Sequence, residues 1–175
     1  MLTAVTGTPG TGKTELGKKL SESGRNVIFL NDFIKENNLL DEYDEVADSY
    51  DVDTDELNLA LKEYQNDDVL YYVEGHLSHF VKSSKIIVMR CNPEVLAGRL
   101  KKRNYSEEKI RENVQAEILD VILCESVSSD ISVYELDSTS QPVGELVESV
   151  IKIENNQGDY RPGKVDWTGS MEEWF

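Results

Sequence analysis

The chain has 175 residues, of which 39% are hydrophobic, and its 34 acidic and 18 basic residues give a net charge of −16. One domain with a real core is the default at this length. The acidity argues against a general nucleic-acid or anionic-membrane binder, and the apolar runs are far shorter than the roughly 20 residues of a membrane span. Two cysteines, Cys91 and Cys124, make neither a disulfide framework nor a metal site, so we expect a cytoplasmic protein.

The charge is unevenly distributed along the chain. Between Asp32 and Asp68 there are 14 acidic residues and 2 lysines, whereas between Arg90 and Arg111 there are 7 basic and 3 acidic residues. The basic segment is either a solvated helix face or part of a site for an anion, and composition leaves both readings open. The acidic segment permits a basic protein partner.

Apolar runs and helix signals alternate along the chain. Strands are predicted at residues 2–6, 26–30, 69–73, 85–89 and 131–136. Helices are predicted at residues 13–23, 32–37, 54–65 with Thr54 as cap, from Pro93 onwards, 106–127 and 142–154, and residues 39–53 are predicted to be a loop. This alternation predicts an α/β fold with a mostly parallel sheet. Residues 155–175 are polar and predict a loosely held tail, with Trp167 and Trp174 as candidate docking residues.

The first predicted strand runs directly into GTPGTGKT at residues 7–14, a complete G-x-x-x-x-G-K-[ST] pattern. Glycines let several backbone N–H groups point at one anion, and the helix that begins at Lys13 adds its positive end. Lys13 is expected to reach the β- and γ-phosphates and the Thr14 hydroxyl to hold Mg²⁺. The motif therefore predicts binding of a nucleoside triphosphate. The candidate contacts are Gly7, Gly10, Thr11, Gly12, Lys13, Thr14 and Glu15.

Such a loop needs a carboxylate across from Thr14 to organise the metal ion. Glu74 directly follows the apolar run at 69–73 and is the best candidate. His76 follows two residues later, where the chain is expected to pass the γ-phosphate, so it is a candidate for orienting water or a phosphate oxygen. His79 is expected to be structural.

The basic segment contains a second group of candidates. Arg99 and Arg103 are four residues apart on the helix predicted from Pro93, so they are expected to share a face. Arginines neutralise the charge on the transferred phosphoryl oxygens, and we assign this role to Arg103. For Arg99 nucleotide contact and a solvated face remain balanced, whereas Lys101, Lys102 and Lys109 are expected to be solvated. Residues 102–112 are a candidate lid, whose closure would exclude water and favour a kinase over a hydrolase.

Four stretches together resemble the adenylate kinase isoenzyme 6 family, whose animal members are also called coilin-interacting nuclear ATPases and which has archaeal members. The stretches are GTPGTGKT, FLNDFIKENNLLDEYDEVADSYDVDTDEL, VEGHLSH and MRCNPEVLAGRLKKRNYSEEKIRENVQAEILDVILCES. The likeness covers about residues 1–127, and RNYSEEKIRENVQAEI is its most specific part.

The resemblance implies a P-loop nucleoside-monophosphate-kinase fold with a five-stranded parallel sheet flanked by helices. It implies one domain at 1–155, a monophosphate-binding flap at 29–52 with Asp32 and Lys35 as candidate contacts, a lid at 102–112, and a tail at 156–175. It also implies broad-specificity monophosphate kinase activity with ATP and Mg²⁺, alongside ATPase activity. Glu74 and His76 match the family's Asp-x-His, with the longer Glu in place of Asp.

The resemblance further implies a role in maturation of the small ribosomal subunit, through transient contact with the pre-ribosome. The implied partners are AMP or another nucleoside monophosphate and a basic ribosomal protein, universal small-subunit protein eleven; no membrane partner is expected. Residues 29–52 contain no arginine and only Lys35, and a lysine is a poorer bidentate clamp for phosphate. The alternative is therefore a non-kinase ATPase switch that binds the ribosomal protein. A small-metabolite P-loop kinase of the shikimate type is a third, weaker reading.

Overall fold

A computed structural model describes residues 1–40, 43–44, 49–65 and 68–175. The strands are β1 (Leu2–Thr6), β2 (Asn26–Phe29), β3 (Tyr43–Asp44), β4 (Ser49–Tyr50), β5 (Tyr71–Glu74), β6 (Lys85–Arg90) and β7 (Ser132–Asp137). The α-helices are α1 (Lys13–Glu22), α2 (Leu30–Glu36), α3 (Thr54–Ala60), α4 (Pro93–Lys101), α5 (Glu107–Ile118), α6 (Val121–Val127), α7 (Val143–Glu154) and α8 (Met171–Trp174). Single 3₁₀ turns cover Leu61–Tyr64, Ser78–Phe80 and Thr168–Ser170.

Five strands form one parallel sheet in the order β2-β5-β1-β6-β7. They are the five predicted strands, with ends that differ from the prediction by no more than two residues, so the predicted α/β fold with a parallel sheet is confirmed. β3 and β4 pair as a two-stranded antiparallel sheet within the segment predicted to be a loop. Six residues of the predicted flap, 41–42 and 45–48, lie outside the described residues, as do residues 66–67.

The core lies on both faces of the sheet because the strands are covered on both sides. On β6, Ile87 and Met89 face the cluster that contains the buried side chains of α1 and α7. Ile86 and Val88 face the opposite way, into the cluster that contains Leu123 of α6. This alternation places the loop after the central strand β1 between two packed layers, at the carboxyl edge of the sheet.

Three local predictions about helices are wrong. Asp53, and not Thr54, caps α3, because its carboxylate accepts hydrogen bonds from the N–H groups of Asp55 and Glu56 at 2.7 and 3.1 Å. The helix predicted at 106–127 is two helices, broken at Asp120, whose φ of 56° is left-handed. α4 ends at Lys101, so Arg103 lies beyond the helix that was expected to carry it.

The C-terminal segment is more firmly held than the predicted tail. The carbonyl of Tyr160 accepts a hydrogen bond from the Glu135 N–H at 2.8 Å, which extends the edge of β7. Trp167 and Trp174 pack against the hydrophobic cluster of α4 and α5, as the sequence suggested. In the part of the chain that the structure describes, no helix combines the length and apolarity required to cross a membrane.

Candidate nucleotide-binding site

The glycine-rich loop wraps around the ammonium group of Lys13. Lys13 is 7% exposed, and its Nζ donates to the carbonyl oxygens of Gly7 at 2.7 Å and Thr8 at 3.0 Å. Burial lowers the pKa of Lys13 to about 8, against the opposing charges of Glu74 and Glu117. The group is therefore mostly charged at pH 7 and lies within the loop that would hold an anion.

Two loop positions require glycine for geometric reasons. Gly7 has φ +140°, and a Cβ there would lie 2.3 Å from the Met89 carbonyl oxygen. Gly10 has φ +95°, and its Cβ would lie 2.8 Å from Leu96 Cδ1 and 3.0 Å from Leu100 Cδ2. The loop is thus closely packed against β6 and α4, and any side chain at these positions would displace it.

A carboxylate and a hydroxyl meet beside the loop, as the sequence predicted. Parallel pairing places Val5 next to Glu74, and the Thr14 hydroxyl donates to Glu74 Oε1 at 3.1 Å. Burial raises the pKa of Glu74, while Lys13 and the Thr14 hydrogen bond act to lower it. Hard oxygen donors of this kind suit Mg²⁺, which is usually held by one or two protein groups, waters and substrate phosphates. Among the described residues no cluster of three or more His, Cys, Asp or Glu side chains could hold a metal ion by itself.

The two histidines after β5 have different surroundings. His76 is exposed on the cavity wall, and partial removal from water, then the nearby Lys13 and His79, lower its pKa to about 4, so it is neutral at pH 7. His79 is buried, with Nδ1 3.0 Å from Thr6 Oγ1 and Nε2 3.0 Å from Glu125 Oε2. These two contacts tie His79 to β1 and α6, and the cavity described next is not lined by His79.

A cavity of about 460 Å³ joins these groups. Its walls are the glycine-rich loop, the turn after β5 and the start of α5. Seven of the predicted site residues line it together, namely Gly10, Gly12, Lys13, Thr14, Glu74, His76 and Arg103. Asn31, Tyr105 and Asn113 also line it and were not expected from the sequence. Lys109, expected to be solvated, lies half-buried on the wall and pairs with Glu112 at 3.1 Å.

A second groove of about 410 Å³ lies on the other side of the loop. Thr11, Glu15, Arg99 and Arg103 line it, and it shares Gly10, Gly12 and Arg103 with the first cavity. Arg99 is not on a solvated face, because its Nη2 donates to the carbonyl oxygens of Ser138 at 2.7 Å and Thr139 at 3.2 Å. Arg99 therefore fixes the turn after β7 beside the glycine-rich loop. The two adjoining cavities give an elongated site that is lined on both sides by basic residues.

The predicted contacts for a monophosphate are not brought to the phosphate cavity. Asp32 and Lys35 are both exposed on α2, and neither is among the described residues that line the cavity. Asp32 is close enough to help raise the pKa of Glu74. Asn31, one residue earlier, is the α2 side chain that reaches the cavity.

A buried ionic network beneath the loop was missed by the sequence reasoning, which counted Arg90 in the basic segment. Arg90 is 1% exposed and donates to Glu117 Oε1 at 2.8 Å and Glu135 Oε1 at 2.6 Å, and it also pairs with Asp120. Its place at the end of the apolar run KIIVM was the available signal, because a charge there ends a buried strand at the carboxyl edge of the sheet.

Comparison with known proteins agrees with this geometry. A family described as "AAA domain" matches residues 4–120. A Methanocaldococcus jannaschii protein named "Putative adenylate kinase" is 42% identical over 176 residues, which cover 100% of this chain and 96% of the relative.

Solved structures with little sequence identity share the fold. A shikimate kinase from Bacteroides thetaiotaomicron is 18% identical and matches with a TM-score of 0.60, over 89% of this chain and 98% of that chain. A deoxyadenosine kinase from M. mycoides with bound dATP is 16% identical and matches with a TM-score of 0.56, over 89% of this chain and 100% of that chain. The chain has the P-loop kinase fold, and it belongs to the AAA-domain family and to the same family as the archaeal relative.

Proposed function

We propose that this protein is a broad-specificity nucleoside-monophosphate kinase that uses ATP and Mg²⁺, with AMP as its first acceptor and slower ATPase activity. The observation that carries the proposal is the single cavity lined by Lys13, Thr14, Glu74 and Arg103 beneath the segment 102–112. The name of the archaeal relative supports the choice of an adenylate acceptor.

In this proposal the loop amides and Lys13 bind the β- and γ-phosphates of ATP, because both present positive charge to one point. The triphosphate continues past Gly10 into the second groove, where the nucleoside lies against the turn that Arg99 holds. Arg103, at the junction of both cavities, neutralises charge on the transferred group. Mg²⁺ held through Thr14 and Glu74 would withdraw charge from the phosphate oxygens.

The exclusion of water decides between phosphoryl transfer and hydrolysis. Residues 102–112 are proposed to be a lid, because Arg103, Tyr105 and Glu112 from this segment already line the phosphate cavity. Closure over ATP would exclude water and align an acceptor with the γ-phosphate. His76 is neutral at pH 7, so its ring can accept a hydrogen bond from attacking water when no acceptor is present.

A second candidate is an ATPase switch that acts in maturation of the small ribosomal subunit. The observation that favours it is the lack of basic side chains to bind the phosphate of an acceptor monophosphate. Residues 29–52 contain no arginine, and Lys35 does not line the cavity. The acidic segment between Asp32 and Asp68 would then bind a basic ribosomal protein, and ATP hydrolysis would release it.

An acceptor screen separates these functions. Purified protein is incubated with ATP and Mg²⁺ together with AMP, other nucleoside monophosphates, shikimate or no acceptor, and the products are separated by chromatography. The kinase proposal expects ADP formation that depends on AMP and is lost in Lys13→Ala, whereas Lys18→Ala, an exposed change on the same helix, should keep it. Hydrolysis indifferent to every acceptor but altered by the ribosomal protein would favour the switch, and turnover of shikimate alone would contradict both.

His76 is tested by a separate variant. His76→Ala is expected to reduce ATP hydrolysis while leaving ATP binding nearly unchanged, because the ring is proposed to contact water and not the triphosphate. Unchanged hydrolysis in this variant would contradict the role assigned to His76.

A further inference from the structure

The most specific sequence stretch, RNYSEEKIRENVQAEI, contains a buried carboxylate that the proposed function does not use. Glu117 lies on α5 and is 3% exposed. Its Oε1 accepts from Arg90 Nε at 2.8 Å and from the Cys91 N–H at 3.0 Å, while its Oε2 accepts from Thr8 Oγ1 at 2.5 Å. One carboxylate therefore connects the end of β6 to a residue of the glycine-rich loop.

Thr8 is the residue through which this contact reaches the phosphate site. Its carbonyl oxygen accepts from Lys13 Nζ at 3.0 Å, from Thr11 Oγ1 at 2.9 Å and from the Thr11 N–H at 3.2 Å. Thr8 is thus held by Glu117 through its hydroxyl, and its carbonyl oxygen in turn holds the Lys13 ammonium and Thr11 of the loop. A shift of Thr8 would move both the charge and the N–H groups that are expected to bind phosphate.

We propose that Glu117 is a positioning residue for ATP binding, which fixes Thr8 and, through the carbonyl of Thr8, keeps Lys13 and the loop in the arrangement that fits the triphosphate. This inference deepens the proposed function, because it concerns the same phosphate site. Glu117 does not line the cavity, so it acts through Thr8 and does not touch the nucleotide.

Arg90 makes Glu117 a rigid anchor. The guanidinium also donates from Nη2 to the Glu117 carbonyl oxygen at 3.2 Å, so the side chain and the backbone of Glu117 are held together. Through a different nitrogen, Nη1, Arg90 donates to Glu135, whose Oε2 accepts N–H groups from Gly163, Lys164 and Val165 at 3.0 to 3.3 Å and so joins the C-terminal segment. Hydrogen bonds between charged groups, such as the one between Arg90 and Glu117, are stronger than those between neutral groups.

The alternative is that Glu117 only balances the charge of Arg90 and contributes nothing to the phosphate site. Glu135 provides the matched control, because it bonds to the same guanidinium but does not contact the loop. Glu135→Gln should lower the melting temperature and leave ATP binding unchanged. If Glu117 positions the loop, ATP affinity should instead fall whenever the hydroxyl of Thr8 is removed.

The test uses Thr8→Val, which keeps the shape and removes the hydroxyl, together with Glu117→Gln and Thr8→Ser. ATP dissociation constants are measured with a fluorescent ATP analogue, and KM for ATP, KM for AMP, kcat and melting temperature are measured in parallel. Thr8→Val and Glu117→Gln should each raise the dissociation constant and KM for ATP about tenfold, a typical loss for one hydrogen bond to a charged group. KM for AMP should stay unchanged, and Thr8→Ser, which keeps a hydroxyl, should bind ATP as the wild type does. The double variant Thr8→Val with Glu117→Gln should bind ATP no more weakly than either single variant.

Wild-type ATP affinity in Thr8→Val would overturn the inference while leaving the proposed kinase intact, and it would do so even if Glu117→Gln failed to fold. An equal loss of ATP affinity in Glu135→Gln would also overturn it, because the effect would then follow the ionic network and not the loop. If wild-type protein binds ATP but transfers phosphate to no monophosphate, the proposed function fails, and weak ATP binding by Thr8→Val still supports the inference.

Discussion

Replacing Arg90 with methionine is expected to destabilise the protein strongly, because it leaves two buried carboxylates without their counter-charge. The side chains of Glu117 and Glu135 are 3% and 2% exposed, whereas Asp120, the third partner, is 35% exposed and can recover water. Methionine fills the volume of the arginine stem, so the loss is mainly electrostatic.

The expected loss in the free energy of unfolding depends on the hydrogen bonds that each carboxylate retains. Glu117 keeps Thr8 and the Cys91 N–H, and Glu135 keeps three backbone N–H groups, so neither is left entirely without donors. Removal of one partner from a buried ion pair lowers the free energy of unfolding by about 3 to 5 kcal/mol. Because both carboxylates retain other donors, we expect the loss to stay within that range. For a domain of this size, a loss of that order lowers the melting temperature by roughly 6 to 20 °C.

Thermal unfolding followed by circular dichroism at several pH values tests this expectation. Burial already raises the pKa of Glu117 against the opposing effect of Arg90, and loss of Arg90 would raise it further. A folded-state pKa above the unfolded value means that the folded protein binds more protons, so the penalty grows as the pH rises. The loss in the free energy of unfolding caused by Arg90→Met should thus be larger at pH 8 than at pH 5. Arg161→Met, which removes an exposed pair with Asp159, should show no measurable change. A deficit below about 1 kcal/mol at pH 8 would refute the account of the network.

Three further predictions concern single residues. In the native protein a thiol reagent at pH 8 should label Cys124 and not Cys91, which is fully buried with a pKa raised to about 11, and labelling of both before denaturation would contradict this. ATP affinity of the free protein should fall as the pH rises through about 8, where Lys13 loses its proton, so constant affinity between pH 7 and 9 would be inconsistent with the buried ammonium. Gly98→Ala should raise the melting temperature by roughly 2 to 4 °C, because alanine favours the helix and the added methyl meets nothing within 4 Å. Gly10→Ala should instead weaken ATP binding, because the φ of Gly10 is +95° and Leu96 occupies the space of the added methyl.

The phosphate-binding loop and the sheet could be predicted because their signals are local. GTPGTGKT is contiguous, and apolar runs that alternate with helix starts indicate parallel strands wherever they occur. Glu74 could be placed for the same reason, since the carboxyl ends of neighbouring parallel strands meet at one edge.

The features that escaped prediction depend on partners distant in sequence. The position of Arg90 after KIIVM marks the end of a buried strand, but its partners Glu117 and Glu135 are 27 and 45 residues away, so the local pattern does not reveal the buried network. The helix break at Asp120 has the same origin, because its carboxylate pairs with Arg90 while its backbone takes a left-handed conformation that a periodic apolar pattern does not reveal. The spacing of Arg99 and Arg103 suggested one helix face, but α4 ends between them.

The fate of the γ-phosphoryl group distinguishes the proposed kinase from the ATPase switch. Protein, Mg²⁺ and ATP labelled at the γ-phosphate are mixed with and without AMP, and the label is followed to ADP or inorganic phosphate in a single turnover. For a kinase, most of the label should appear in ADP when AMP is present, and Lys13→Ala should form neither product at a measurable rate. Label that appears only in inorganic phosphate, at the same rate with or without AMP, would contradict a kinase and leave the ATPase switch as the function of this fold.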